Sequence, residues 1–199
     1  MKNLIKPLVK QERSFASVRR SMLEANNAED SDLLILPENP TEKAPICTDE
    51  WQLRYYIRTA KIKRKITHLF VHCTATYQNA TVTGILNYWK NNKGWKNVGY
   101  HVLLPKKGFT TIADFDQITN GVKGYNYRSV HISYIGGIDD NRKPFDNRTD
   151  EQKRLINAFI EEMVNRFPNI KVLGHNEASN KACPCFHVKD EYPNYYTGK

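Results

Sequence analysis

No stretch of this chain is apolar for long enough to cross a bilayer. Its opening, Met1-Lys2-Asn3-Leu4-Ile5-Lys6-Pro7-Leu8-Val9-Lys10, is broken by lysines and Pro7 before the apolar core of an export signal could form. Synthesis in the cytoplasm without a signal peptide, and no membrane insertion, are therefore expected. Cysteine is scarce: Cys47, Cys73, Cys183 and Cys185, four thiols in 199 residues, do not make the dense disulfide framework of a small secreted domain. Thiols available for chemistry are expected instead. Acidic residues are outnumbered, 21 against 30 Lys and Arg, and the resulting formal charge of +9 favours a polyanionic partner without saying which. The basic run Arg58-Thr59-Ala60-Lys61-Ile62-Lys63-Arg64-Lys65 interleaves no aromatic residue that could stack on a base, so nucleic acid is not the expected partner and a solvated lead-in to the first strand is.

Charge is unevenly distributed. Residues 1–20 carry six Lys and Arg against Glu12, residues 21–50 carry eight Asp and Glu against Lys43, and residues 51–65 carry six basic residues and no acid. Leu33-Leu34-Ile35-Leu36 is the one strongly apolar stretch before Pro37, Pro40 and Pro45. Residues 1–62 thus read as an N-terminal extension, partly disordered or loosely docked, and residues 63–199 as one domain. A protein partner, if there is one, would engage residues 1–62.

Within 63–199 strands alternate with helices. Ile66–His72 alternates as a strand, placing His72 and Cys73 on opposite faces. Val82, Ile85, Leu86 and Trp89 fall at helical spacing behind a Thr81 cap, with Gly94 as the stop. Gly99–Leu104 and Phe109–Ile112 form a hairpin about Lys106-Lys107-Gly108, and Ser129–Ile135 is a further strand ended by Gly136-Gly137. Thr149-Asp150-Glu151-Gln152 has the form of a capping box, opening the longest helix, whose apolar face is Leu155, Ile156, Phe159, Ile160, Met163, Val164 and Phe167. Ile170–Leu173 is the last strand. The pattern predicts an α/β fold, a central, mostly mixed sheet flanked by helices.

The last strand delivers an irregular loop, Gly174-His175-Asn176-Glu177-Ala178-Ser179-Asn180-Lys181-Ala182-Cys183-Pro184, which carries an imidazole, an ammonium and a thiol. Gly174 and Pro184 bracket His175 and Cys183, so the backbone can turn both toward one point as metal ligands. A third ligand must come from elsewhere. His72, at the C-terminal end of its strand, supplies one. Cys73 beside His72, and Cys185 beside Cys183, carry the same chemistry.

Four blocks of sequence in this order resemble the zinc-dependent N-acetylmuramoyl-L-alanine amidases, the family that includes phage amidases and peptidoglycan recognition proteins. They are Val71-His72-Cys73-Thr74-Ala75-Thr76; Gly94-Trp95 with Val98-Gly99-Tyr100-His101; Gly124-Tyr125-Asn126 with Gly136-Gly137-Ile138-Asp139-Asp140; and His175 with Lys181-Ala182-Cys183-Pro184. The resemblance spans roughly Ile66 to Phe186. It implies that His72, His175 and Cys183 bind Zn²⁺, leaving a fourth position for water, that Tyr100 lines the site, and that Lys181 reaches the scissile carbonyl. The implied reaction is hydrolysis of the amide between N-acetylmuramic acid and L-alanine in peptidoglycan, an activity exerted on the cell wall after release or delivery. Two departures stand out. Some branches place a glutamate on the strand matching Ser129–Ile135, which here carries Ser133, and Gly121 stands where many relatives have a histidine. Glu177 is the nearest acid in sequence to a ligand and is read as fixing the loop. Two other functions are compatible with such a fold: a non-catalytic peptidoglycan recognition module, a class that commonly lacks the cysteine ligand, and a phage-type protein that also inhibits a cytoplasmic partner.

Overall fold

The computed structural model describes residues 49–195. Most of the segment expected to be an extension, residues 1–48, lies outside them. Its last part does not behave as a loose appendage. Glu50–Thr59 is a helix, α1, whose N-terminus is capped by the Asp49 carboxylate accepting from the Trp51 N–H at 3.0 Å. Leu53 and Ile57, four apart and so on one face, are fully buried. The expected boundary at residue 62 therefore falls inside the packed core, because Leu53 and Ile57, only two apolar side chains among charges, are enough to seat the helix on it.

Among the described residues five strands form one sheet in the order β3-β2-β4-β1-β5: β1 (His68–Cys73), β2 (Val102–Leu104), β3 (Thr110–Thr111), β4 (Ser129–Tyr134) and β5 (Lys171–Gly174). β2 and β3 pair antiparallel as the expected hairpin; the other pairings are parallel. The sheet is thus mixed, and it is flanked by helices as the alternation predicted.

Period-two alternation sorts the strands into two faces. Leu69, Val71 and Cys73 of β1, Val130, Ile132 and Tyr134 of β4, and Val172 of β5 form the larger core with α1 and the long helix α3 (Asp150–Arg166), which contributes Leu155, Ile156, Phe159, Ile160 and Met163. Burying such side chains stabilises by about 1.5–3 kcal/mol each. A smaller cluster on the other side joins Leu103 and Ile135 to Val82 and Ile85 of α2 (Val82–Asn87) and to Trp89, in the π-helical turn Tyr88–Asn92 that prolongs α2. Thr81 caps α2, accepting from the Gly84 N–H at 3.0 Å.

The capping box of α3 is complete, and Gln152 does more than cap. Its Oε1 accepts from the Thr149 N–H at 2.9 Å, while its Nε2 donates to Leu104 O at 2.9 Å and Ile135 O at 3.1 Å. One buried amide thereby ties the start of α3 to the ends of β2 and β4. The basic run before β1 is likewise structural in part, contrary to the solvated lead-in expected. Arg58 forks onto the buried Glu162 of α3, and half-buried Arg64 donates to Phe115 O at 2.7 Å, Tyr127 O at 3.0 Å and Ser129 O at 2.9 Å. A guanidinium carries five donors, enough to satisfy several loop carbonyls at once.

Candidate metal centre

The parallel register β1·β5 pairs Val71 with Gly174, so His72 and His175, the residues that follow, meet at the carboxyl ends of adjacent strands although they are 103 positions apart. Ligand sites in α/β sheets form at such ends, where chains leave the sheet and backbone geometry is free to vary. His72 Nδ1 lies 3.2 Å from His175 Nδ1, and Cys183 Sγ lies 3.6 Å from His72 Nδ1. The three donor atoms all fall within 4.8 Å of one another.

The two distances from His72 Nδ1 are those of ligands sharing a metal ion. Tetrahedral bonds of about 2.0–2.1 Å to nitrogen and 2.3 Å to sulfur separate two nitrogens by about 3.3 Å, and a nitrogen from a sulfur by about 3.6 Å. Electrostatics agree. Burial, reinforced by His131, His175 and the Lys181 ammonium, holds the His72 imidazole neutral, its pKa well below 6.5. Burial and Lys181 push His175 down to about 4. Neutral imidazoles present a lone pair to a cation, as ligation requires.

The loop is held by contacts that periodicity could not reveal. Asn176 N–H donates to Cys183 O at 2.7 Å, closing the turn that brings His175 and Cys183 together. The Tyr134 hydroxyl at the end of β4 donates to Pro184 O at 2.7 Å. Arg148, nearly buried, lies with its guanidinium carbon 3.4 Å from the Phe186 ring centroid, anchored by Asp146 and Glu191. In the sequence Arg148 is one more charge in a polar stretch, and only its burial marks it out.

The two neighbouring thiols fall elsewhere. Cys73 points to the α3 side of the sheet, where its Sγ lies 3.7 Å from Cys185 Sγ, and Cys185 donates to Gly137 O at 3.2 Å. Gly137 has φ +103°, and a Cβ there would meet Cys73 Sγ at 2.5 Å, so glycine is required twice over at this exit from β4. Glu177 turns back on its own loop, its Oε2 accepting from Gly174 N–H at 2.5 Å.

Tyr100 and His101 do not obey strand alternation, because β2 begins only at Val102. The Tyr100 ring packs on His72, centroids 4.7 Å apart, and its hydroxyl donates to Cys73 O at 3.3 Å. Desolvation, with Cys183 and Cys73 adding, raises its phenol pKa well above 10, so the hydroxyl keeps its proton. His101 lies against His131, rings nearly parallel with centroids 5.8 Å apart, and serves as packing. Lys181 is exposed, yet its charge bears on both His72 and His175.

A family model described as N-acetylmuramoyl-L-alanine amidase matches residues 62–186. Over 130 residues the chain is 33% identical to the endolysin of Enterobacteria phage K11, an alignment covering 64% of this chain and 85% of that protein. Among solved structures, the Ph2119 endolysin from a Thermus scotoductus bacteriophage superposes with a TM-score of 0.53 at 21% identity, covering 66% of this chain and 86% of that one. The Drosophila peptidoglycan recognition protein SD superposes with a TM-score of 0.57 at 18% identity, covering 73% and 95%. At such identities these two structures share the fold.

Proposed function

The chain belongs to the N-acetylmuramoyl-L-alanine amidase family, and from that premise we propose that it is a zinc-dependent enzyme that cleaves the amide between the lactyl group of N-acetylmuramic acid and the L-alanine of the stem peptide. The observation that carries the reading is the convergence of His72, His175 and Cys183, whose donor atoms all lie within 4.8 Å of one another, with His175 Nδ1 and Cys183 Sγ at 3.2 and 3.6 Å from His72 Nδ1. Three protein ligands leave one coordination position open, the mark of a catalytic rather than a closed structural site. Bound there, Zn²⁺ would supply a water acidic enough to ionise near neutral pH and a Lewis acid for the carbonyl.

The remaining work falls to the chain. Lys181, exposed at the mouth of the site, places a positive charge where the carbonyl oxygen gains negative charge, a contribution of about 3 kcal/mol for one well-placed donor. Tyr100, kept protonated by its surroundings, acts as a hydrogen-bond donor toward the reacting centre and not as its base. Glu177 commits its Oε2 to Gly174 N–H, the contact that fixes the loop. The substrate is peptidoglycan, met at the cell wall after release or delivery. The domain starts upstream of residue 62, since α1 belongs to its core.

The test is mass spectrometry of purified peptidoglycan incubated with the zinc-loaded protein, beside a chelated sample and a Cys183→Ala sample. Intact stem peptides with a free L-alanine amine, absent from both controls, are expected. Cleavage at another bond would remove the substrate assignment and leave the metal centre standing.

A further inference from the structure

A third imidazole stands directly behind the metal-ligand pair. His131, on β4, is fully buried and is not a member of the N/N/S triad. Its Nδ1 lies 3.0 Å from His72 Nε2, its Nε2 lies 2.8 Å from Ser129 Oγ, and the Ser129 hydroxyl donates to Tyr125 O at 2.8 Å.

These contacts order the protons. A carbonyl oxygen only accepts, so the one hydroxyl proton of Ser129 is committed to Tyr125 O, and Ser129 Oγ faces His131 as an acceptor. His131 therefore carries its proton on Nε2 and offers a lone pair at Nδ1. To meet that lone pair, His72 must carry its own proton on Nε2. Its unprotonated nitrogen is then Nδ1, the atom that faces His175 and Cys183.

The His131 ring is locked in this pose. It is stacked on Phe70 at 5.6 Å and 11° and on His101 at 5.8 Å and 7°, and the backbone N–H of His131 donates to His101 Nδ1 at 3.0 Å. The space it fills exists because residue 121 is glycine: a Cβ at Gly121 would lie 2.3 Å from His131 Nδ1 and 2.5 Å from its Cε1. Gly121 has no left-handed φ, so what that position needs is room.

We propose that His131 is a positioning residue for the metal centre, holding His72 in the Nε2–H tautomer so that Nδ1 is presented to the metal, and that Ser129 and Gly121 are its proton-ordering and space-making partners. The inference rests on the reading of His72, His175 and Cys183 as that centre. Outer partners of this kind orient a ligating histidine, and their loss lowers metal affinity by about 10–100-fold.

The test uses the full chain, uniformly labelled with ¹⁵N. Long-range ¹H–¹⁵N correlation on the metal-free protein should show both His72 and His131 as Nε2–H tautomers. Zinc affinity, measured by competition with a chromogenic chelator, should fall by about 10–100-fold in His131→Phe, which fills the space without an acceptor, and in Gly121→Ala, which displaces the imidazole. His131→Asn, whose Oδ1 can still accept from His72, should keep most of the affinity; a role in packing alone would make this smaller side chain the worse replacement. A wild-type His72 protonated at Nδ1, or a folded His131→Phe protein that binds zinc as the wild type does, would overturn the proposal. If the wild type binds no zinc, the metal-centre reading fails by itself, and the tautomers, read without metal, still decide the role of His131.

Discussion

Lys181 can be separated from folding more cleanly than any other residue of the site, because its side chain is exposed and it ligates nothing in the proposed centre. Lys181→Ala is expected to lower kcat by about 10²–10³-fold, the usual cost of one oxyanion donor, with zinc content unchanged. Metal analysis beside steady-state kinetics checks this; loss of zinc in the variant would mean that the ammonium supports the site in another way. Tyr100→Phe keeps the ring that packs on His72 and Trp89 and removes only the hydroxyl. It should lower kcat while leaving the thermal midpoint and the zinc content in place. At this scale the sequence was informative about identity and silent about direction. That His72 turns Nδ1 toward His175 and Cys183, and that Cys185 turns to Cys73 while Cys183 turns to His72, follow from atoms contributed by other segments.

At the scale of elements, α1 is the informative case. Leu53 and Ile57 are fully buried against the larger core, and Arg54 and Arg58 converge on Glu162 of α3, which is itself almost inaccessible to solvent. Leu53→Ala or Ile57→Ala is expected to destabilise by about 2–5 kcal/mol, measurable as a lower urea midpoint. A loss below about 0.5 kcal/mol, the range of ordinary surface substitutions, would restore the loosely docked extension that the charge pattern implied. The α3 capping box and the β2–β3 hairpin were legible because their signals are local: a hydroxyl three residues before an amide, and a glycine turn between apolar runs. α1 was not, because its apolar stripe is two residues wide and lies among charges whose partners sit on α3.

For the whole molecule, pH is the simplest probe of how the interior was built. His101 is buried and neutral, and desolvation pushes its pKa from 6.5 down to about 3. Between those values the unfolded chain binds a proton that the folded chain refuses, so stability is full above about pH 6.5 and declines as pH falls toward 3. In the metal-free protein His175, pushed down to about 4, adds to the decline over the upper part of the same window. The carboxylates of Glu161 and Glu162, held below 4.5 by their arginine partners, act in the same direction but at lower pH. Urea midpoints at pH 7.0, 5.5 and 4.5 should therefore fall already in the first step; a flat response between the first two would mean that the buried imidazoles accept protons in the fold.

The sequence by itself determined the alternation of strands and helices, the caps, the hairpin and the chemical types of the donors, since each depends on neighbours within a few residues. It also carried the family, through blocks whose order and spacing survive without coordinates. Only the tertiary structure decided that α1 is core, that Arg64 and Arg148 are internal ties, and that His131 lies against His72. Those outcomes depend on which strands lie side by side, in which register, and what space a distant glycine leaves. The parallel pairing of Val71 with Gly174 brings two histidines 103 positions apart into contact, and no local pattern in either segment encodes that distance.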